Sequence, residues 1–501
     1  MNVIDDDNRL CYISYLTKTK WRLVDMNKHA RKILGILLVF VTVIMSTQTV
    51  QAAEEKNIGE SLPLWLCIPF AGMLLCIAVM PLIKAEWWEK NRKWAVIMWS
   101  LLFLVPFGIM YGGGAAVEHL VEVIIGDYIT FIVLLFGLFC VAGNISLEGD
   151  LQGNPAVNVV MLFIGTMLSS WIGTTGASML MIRPLIRANK WRSRKVQIIV
   201  FFIFLVSNIG GCLTPVGDPP LLMGFTNGVG FFWSLKLLPV MLLNVILLLT
   251  LFYIIDRRAY KKDLADGLRP KFKREKKKLR LVGAHNIIFL IMIVGAVILS
   301  GVLPIISSAF AKGPVICGVT FSIASMIEIA IILLAALLSF KTTKKEVRHN
   351  NHFTWDAIQE VAVLFIGIFI TMIPALLILK ARGADLGLTH PWQYFWMTGA
   401  LSSFLDNTPT YLVFFTTAAS MGFTTGVSTV LGYIPKVMLM AISCGAVFMG
   451  ANTYIGNAPN FMVCSIAEEN GIKMPSFFGY MVWSLSCLIP VFLIDMLIFF
   501  I

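Results

Sequence analysis

The sequence has little charge. Only 14% of its 501 residues are Asp, Glu, Lys or Arg, while 58% are hydrophobic. A water-soluble domain carries nearer one quarter charged residues, so a soluble fold is excluded. Histidine is scarce, at 6 residues, and the 9 cysteines are scattered with no CxxC pair. That excludes clustered soft-metal and redox sites, and a His-based catalytic constellation is missing too. Cysteines such as Cys67, Cys140, Cys212 and Cys444 lie in apolar runs and read as small helix residues.

What the chain has in abundance is long apolar stretches. Many approach or exceed the roughly 20 residues that cross a bilayer. The net charge of +12 sits in short loops between them. That is the signature of membrane topology and not of nucleic-acid binding. The expected fold class is an all-α polytopic membrane protein. Spans are expected near 62–83, 94–112, 127–147, 196–225, 236–256, 283–303, 314–340, 356–380, 433–465 and 476–500.

The first 52 residues form a separate segment. Lys28, Arg31 and Lys32 precede an apolar core, Ile33 to Met45, and Val50-Gln51-Ala52 fits a small-x-small cleavage signal. One expectation is synthesis from Met26 with cleavage after Ala52. The competing one is an uncleaved first helix.

Two apolar segments, 156–186 and 391–421, are too long for one helix and are broken near the middle by small and polar residues. They read as re-entrant hairpins, which are tolerated only where protein or a water-filled cavity surrounds the backbone. The positive-inside rule agrees. Basic loops occur at 84–93, 187–195, 257–280 and 341–348. All four share one side only if 156–186 is a hairpin and not a span. This assigns the basic side to the cytoplasm of a bacterial inner membrane. The N-terminus (after cleavage) and the C-terminus are then periplasmic.

The two halves repeat. "SSWIGTTGAS" (Ser169–Ser178) aligns with "SSFLDNTPTY" (Ser402–Tyr411). Further on, "SNIGGCLTPVGDPPLLM" (Ser207–Met223) corresponds to "GANTYIGNAPNFMV" (Gly450–Val463), with Gly217-Asp218-Pro219-Pro220 matching Gly456-Asn457-Ala458-Pro459. Each half is expected to hold three spans, a hairpin, a broken span and a final span. The first half covers 53–256, a basic linker 257–282, and the second half 283–501. Opposite starting sides make this an inverted-topology repeat, and matched interruptions in two halves point to a transport site near the midplane.

The interruptions carry oxygen donors. Ser170, Thr174 and Thr175 lie on the first tip, and Ser207, Asn208, Thr214 and Asp218 on the first broken span. Ser403, Asp406, Asn407 and Thr408 lie on the second tip, and Asn452, Thr453 and Asn457 on the second broken span. Hard cations such as Na⁺ prefer such oxygens. Asp406, Asn407 and Asn452 are the foremost Na⁺ candidates. Intramembrane carboxylates are functional-site candidates by default, because one carboxylate can hold a proton or a sodium ion in turn. Asp406 ranks first and Asp218 second, since Gly-Asp-Pro is also a good turn. A helix-capping role competes with transport chemistry for each. Glu328 is the expected accessory proton carrier, with a partnered structural carboxylate as its alternative.

The motifs "SNIGGCLTPVGDPPLLMGF", "SSFLDNTPTYLVF" and "GANTYIGNAPNFMV" resemble those of NhaD-type sodium/proton antiporters, over roughly residues 60–501. That group belongs to the ion transporter superfamily with citrate, dicarboxylate and arsenite carriers. In related carboxylate carriers, Ser-Asn-Thr triplets at the two tips form sodium and carboxylate sites. Here the tips read Gly173-Thr174-Thr175 and Asp406-Asn407-Thr408, so neither is a strict Ser-Asn-Thr, and the first lacks the Asp that such antiporters often carry. The resemblance implies hairpins and broken helices that move as a unit against a dimerising scaffold. The leading functional expectation is Na⁺/H⁺ antiport, with no cofactor beyond the ion. The alternative is a Na⁺- or H⁺-coupled citrate or dicarboxylate transporter. An enzyme is not expected. The expected partners are the lipid bilayer, Na⁺, H⁺, a small carboxylate under the alternative, and a second copy in a homodimer, with no nucleic acid.

Overall fold

The computed structural model describes residues 55–149, 151–269, 280–351 and 353–501. The expected leader, 1–52, lies outside them, as does part of the basic linker. The described chain is helical throughout, with three two-stranded ribbons outside the apolar spans. It is an all-α polytopic membrane protein. Among the described residues ten helices are long and apolar enough to cross a bilayer. They include Pro155–Ile172 of the first expected hairpin, whereas the expected span 433–465 supplies only the shorter Lys436–Asn452.

The first half runs α1 (Glu55–Ser61), α2 (Ile68–Ile83), α3 (Ala85–Tyr111), α4 (Gly113–Gly143), α5 (Pro155–Ile172), α6 (Thr174–Ala188), α7 (Val196–Leu205), α8 (Pro219–Thr226) and α9 (Leu238–Ala265). The second runs α10 (Asn286–Ile306), α11 (Ile323–Thr342), α12 (Lys345–Asn350), α13 (Asp356–Arg382), α14 (Pro391–Ser402), α15 (Asn407–Ser420), α16 (Lys436–Met449), α17 (Ala458–Glu469) and α18 (Phe477–Asp495).

Several helices outrun their apolar cores. α3 takes in "EWWEKNRK", and α9 carries the basic run through Lys262. Glu, Lys and Arg are good helix formers, so leaving the bilayer does not end the helix. α4 begins at Gly113, well before the expected 127, and holds a π-helical turn at Val123–Tyr128. By contrast, residues 314–322 do not join α11. "GPVICGVTF" forms a small ribbon, Val315–Ile316 with Val319–Thr320. Glycines at 313 and 318 suit such turns.

Each hairpin is a helix–turn–helix. α5 and α6 meet at Gly173, whose φ of +78° favours a residue without Cβ. Their far ends close on each other. Asn158 and Asn189 exchange amide hydrogen bonds of 3.1 and 2.8 Å, and Gly153 N–H donates to Ala188 C=O at 2.8 Å. In the second hairpin, Tyr394 near the start of α14 packs edge-on against Phe414 in α15, with centroids 6.4 Å apart. The chain therefore doubles back in both. α14 and α15, at 12 and 14 residues, reach only about 18 and 21 Å at 1.5 Å per residue, short of a 30 Å core.

The broken spans form the centre. The window Val196–Leu213 is 94% buried, whereas that of α10 is 22% buried. One is surrounded by protein and the other faces lipid. The halves interlock there: α8 packs on α15, and α17 packs on α6.

One face gathers the basic segments. Residues 146–148 pair with 280–282, Asn351 donates to Gly143 and Ile145 carbonyls at 2.9 and 2.7 Å, and Arg348 donates to Asn144 at 3.2 Å. Nearby, Arg192 is fully buried between Asp256, at 2.8 Å, and Asp263, at 3.1 Å. Gln197 and Asn158 also donate to Asp256, at 2.8 and 3.0 Å. A buried guanidinium is tolerated only with this degree of pairing. The cluster fastens the base of the first hairpin to α9.

Candidate functional site

Breaking a helix inside a membrane frees backbone groups that must find other partners. Here hydroxyls supply them, in the same way in both halves. Ser170 Oγ donates to Gly210 C=O at 2.5 Å, and Ser403 Oγ donates to Met449 C=O at 3.1 Å. Thr214 Oγ1 donates to Ser170 C=O, and Thr453 Oγ1 to Ser403 C=O. Ser169 and Ser402 donate to Val206 and Ala446 carbonyls at 2.6 and 2.7 Å. These bonds clamp each hairpin tip onto its own broken span.

Glycines let the tips approach. A Cβ on Gly217 would lie 2.2 Å from Gly211 O and 2.9 Å from Ser170 Cα. One on Gly456 would lie 2.5 Å from Gly450 O and 2.8 Å from Ser402 O. Both exceed any tolerable overlap, so the close crossing requires glycine.

Asp218 stands where the crossings meet. It is buried at 1% exposure. Thr174 Oγ1 donates to its Oδ1 at 3.1 Å, and Asn407 Nδ2 donates to its Oδ2 at 2.6 Å. Asn457 Nδ2 stands 3.5 Å from Oδ1 and also reaches Asn208 Oδ1 and Ser207 C=O, each at 3.2 Å. One carboxylate thus collects donors from both tips and from the other half's broken span. All are neutral.

Asp406 has a different environment. Its Oδ1 accepts the Thr408 N–H at 3.0 Å, which caps α15. It also lines a cavity of about 280 Å³. The cavity lies between the tips and the helices α4 and α13, and Thr174, Thr175, Asn407 and Asn457 border it. Its charged lining groups are Asp406 and Glu360, with no Lys, Arg or His among the described residues of its wall.

Ser207, Asn452 and Thr408 bond to neighbours on the hairpins. Ser207 bonds Ser178 at 2.9 Å. Asn452 donates to Ser403 Oγ at 2.9 Å, and its buried Oδ1 has no protein partner. Thr408 Oγ1 reaches Asn407 Oδ1 at 3.4 Å. Glu328 is not brought to the site. It is buried in the second turn of α11, which packs on α4 and α10, and it is not among the cavity residues.

Sequence reasoning missed Asn460. Its Oδ1 accepts from Asn208 at 2.7 Å, and its Nδ2 ties Gly450 and Thr453 carbonyls at 2.8 and 2.9 Å. The signal was its place one turn beyond Asn457 in "NAPN". It also missed Asn244, which donates to both oxygens of buried Asp495 at 2.9 and 2.8 Å.

Four half-helices, α6, α8, α15 and α17, begin at this crossing, so four positive dipole ends surround it. Carboxyl, amide and hydroxyl oxygens share the same small space. Such a centre can hold a proton, a hard cation, or an anion accompanied by cations.

No curated protein matches the chain. Residues 59–500 match the protein family described as "Putative citrate transport". Together with a polytopic helical fold, that match shows that the chain belongs to this family of the ion transporter superfamily and is a membrane transporter rather than an enzyme.

Proposed function

We propose that the protein is a secondary transporter that exchanges Na⁺ for H⁺ at the crossing around Asp218, with Asp406 as the second carboxylate. The observation that carries this reading is the company Asp218 keeps. It is a fully buried carboxylate whose hydrogen-bond partners are neutral hydroxyl and amide groups. A buried carboxylate without a paired cation is costly unless it binds a proton or a cation. Alternation between those two states is exchange, provided the protein reorients only when occupied. In this mechanism Thr174, Asn407 and Asn457 hold the carboxylate in place. By the positive-inside rule the basic face is cytoplasmic in a bacterial inner membrane and the C-terminus periplasmic. A homodimer is the assembly expected of the superfamily resemblance.

A second reading is Na⁺- or H⁺-coupled carriage of citrate or a dicarboxylate. The family match favours it, and so do the four helix N-termini, which attract anions. One experiment separates the two. The purified protein is reconstituted in liposomes that hold a pH dye, and Na⁺, Li⁺ or K⁺ is added with and without citrate. Proton movement on Na⁺ addition without citrate supports exchange. Flux that requires citrate would overturn it in favour of the second reading.

A further inference from the structure

We propose that Glu360 is a cation-recruiting position at the basic-face mouth of the cavity, and that Arg92 competes for it. This rests on the cation-transport reading of the site and extends it to the access path.

The cavity that touches Asp406 and Asn407 also touches Ile358 and Glu360, in the first turns of α13. Its wall there includes Pro81, in the last turn of α2, and Phe139, near the end of α4. All three helix ends lie at the basic face, so the cavity reaches from the tips toward that face. Between the two ends the wall is apolar, with Leu135, Leu138, Leu364 and Phe365. Fixed charge in the wall is thus confined to its ends: Asp406 inside and Glu360 at the mouth.

Topology loads this face with Lys and Arg, which repel an approaching cation. Around Glu360 carboxylates also gather. Glu89 and Asp356 stand within electrostatic reach of it, beside Arg92. Arg92 Nη1 is 3.1 Å from Glu360 Oε1. The Glu360 side chain keeps 40% of its surface exposed, whereas Arg92 keeps 15%. The carboxylate side chain thus stays partly exposed while the guanidinium holds Oε1. A hydrated cation and Arg92 are alternative partners for the same group. A carboxylate at the mouth of a low-dielectric cleft raises the local cation concentration.

The test is transport kinetics of the reconstituted full-length protein, with Na⁺ supplied at the basic face. Glu360→Gln is expected to raise the KM for Na⁺ about tenfold, within the range of electrostatic focusing, with the maximal rate changed less than about twofold. Arg92→Gln frees the carboxylate and is expected to lower KM about threefold, on the scale of a partly exposed ion pair. Glu360→Asp should fall between Glu360→Gln and wild type. Opposite signs in the two neutral variants support recruitment. If both variants raise KM, or both lower the maximal rate at unchanged KM, the pair is only a brace between α3 and α13 and the proposal is overturned. Arg92→Gln keeps Glu360 in place, so it decides the matter even where Glu360→Gln folds poorly. If the wild type shows no Na⁺ response, the exchange reading itself fails and takes this inference with it. If the wild type responds and neither variant changes KM, this inference alone fails.

Discussion

The two crossings of hairpin tip and broken span share a frame but not a charge pattern. Ser170, Thr214 and Gly217 in the first half do what Ser403, Thr453 and Gly456 do in the second. The ionisable residue, however, sits on different elements. The first half carries its aspartate on the broken span, at Asp218, where the second has Asn457. The second half carries its aspartate on the tip, at Asp406, where the first has Gly173. The frame is duplicated because any broken membrane helix must satisfy the same freed backbone groups. The charge is not duplicated because Asn457 stands 3.5 Å from Asp218, and two carboxylates so close repel each other. A side-chain amide meets the carboxylate there instead.

The largest expected effect tests the charged element of that comparison. Asp218→Asn should cut transport on the order of 100-fold, since charge-assisted contacts are worth about 1.5–3 kcal/mol each, while size-exclusion elution is unchanged. Retained flux would break the assignment of the chemistry to the first crossing. Asp406→Ser keeps a helix cap but removes the charge. Flux reduced more than about tenfold, with cap stability lowered by less than about 1 kcal/mol, would show that Asp406 acts through its charge. Full flux would leave it a cap.

Next in size is a second matched pair, Asp256 and Asp495, at corresponding places in the final spans α9 and α18. Asp256 holds the buried Arg192, whereas Asp495 is held by the Asn244 amide. Asp256→Ala leaves the buried Arg192 with Asp263 as its one carboxylate and takes an acceptor from the Gln197 and Asn158 amides. It should cost about 3 kcal/mol, the low end for a broken buried pair. Asp495→Ala should cost about 1–3 kcal/mol, the price of stranding an amide. Thermal unfolding in detergent compares them, and equal losses would sink the distinction.

The frame itself should respond evenly. Gly217→Ala and Gly456→Ala each force a Cβ into backbone atoms and should each lose about 1–3 kcal/mol. The smallest effect is expected for Ser170→Ala and Ser403→Ala, at about 1 kcal/mol each. A large difference within either pair, read from the same unfolding measurement, would show that the two crossings are not mechanically equivalent.

The sequence by itself determined the membrane class, the two hairpins, the breaks and the family of oxygen donors. Those features follow from local chemistry: apolar runs long enough to span, Gly and Pro where a helix cannot continue, and basic loops that must share a side. It also ranked Asp406 above Asp218, because the turn propensity of Gly-Asp-Pro is visible locally and the donors around Asp218 are not. Thr174, Asn407 and Asn457 come from three distant segments, and only folding brings them to one carboxylate. The same holds for Asn460 beneath Asn208 and for Arg192 between Asp256 and Asp263. Glu328 shows the converse. Its place in an apolar run marked it as costly to bury, but the packing of α11 decided that it lies apart from the crossing. Hydropathy reports how a residue meets lipid or water, one position at a time. Which polar groups meet each other was settled by the packing of α8 on α15 and of α17 on α6, a property of the tertiary structure alone.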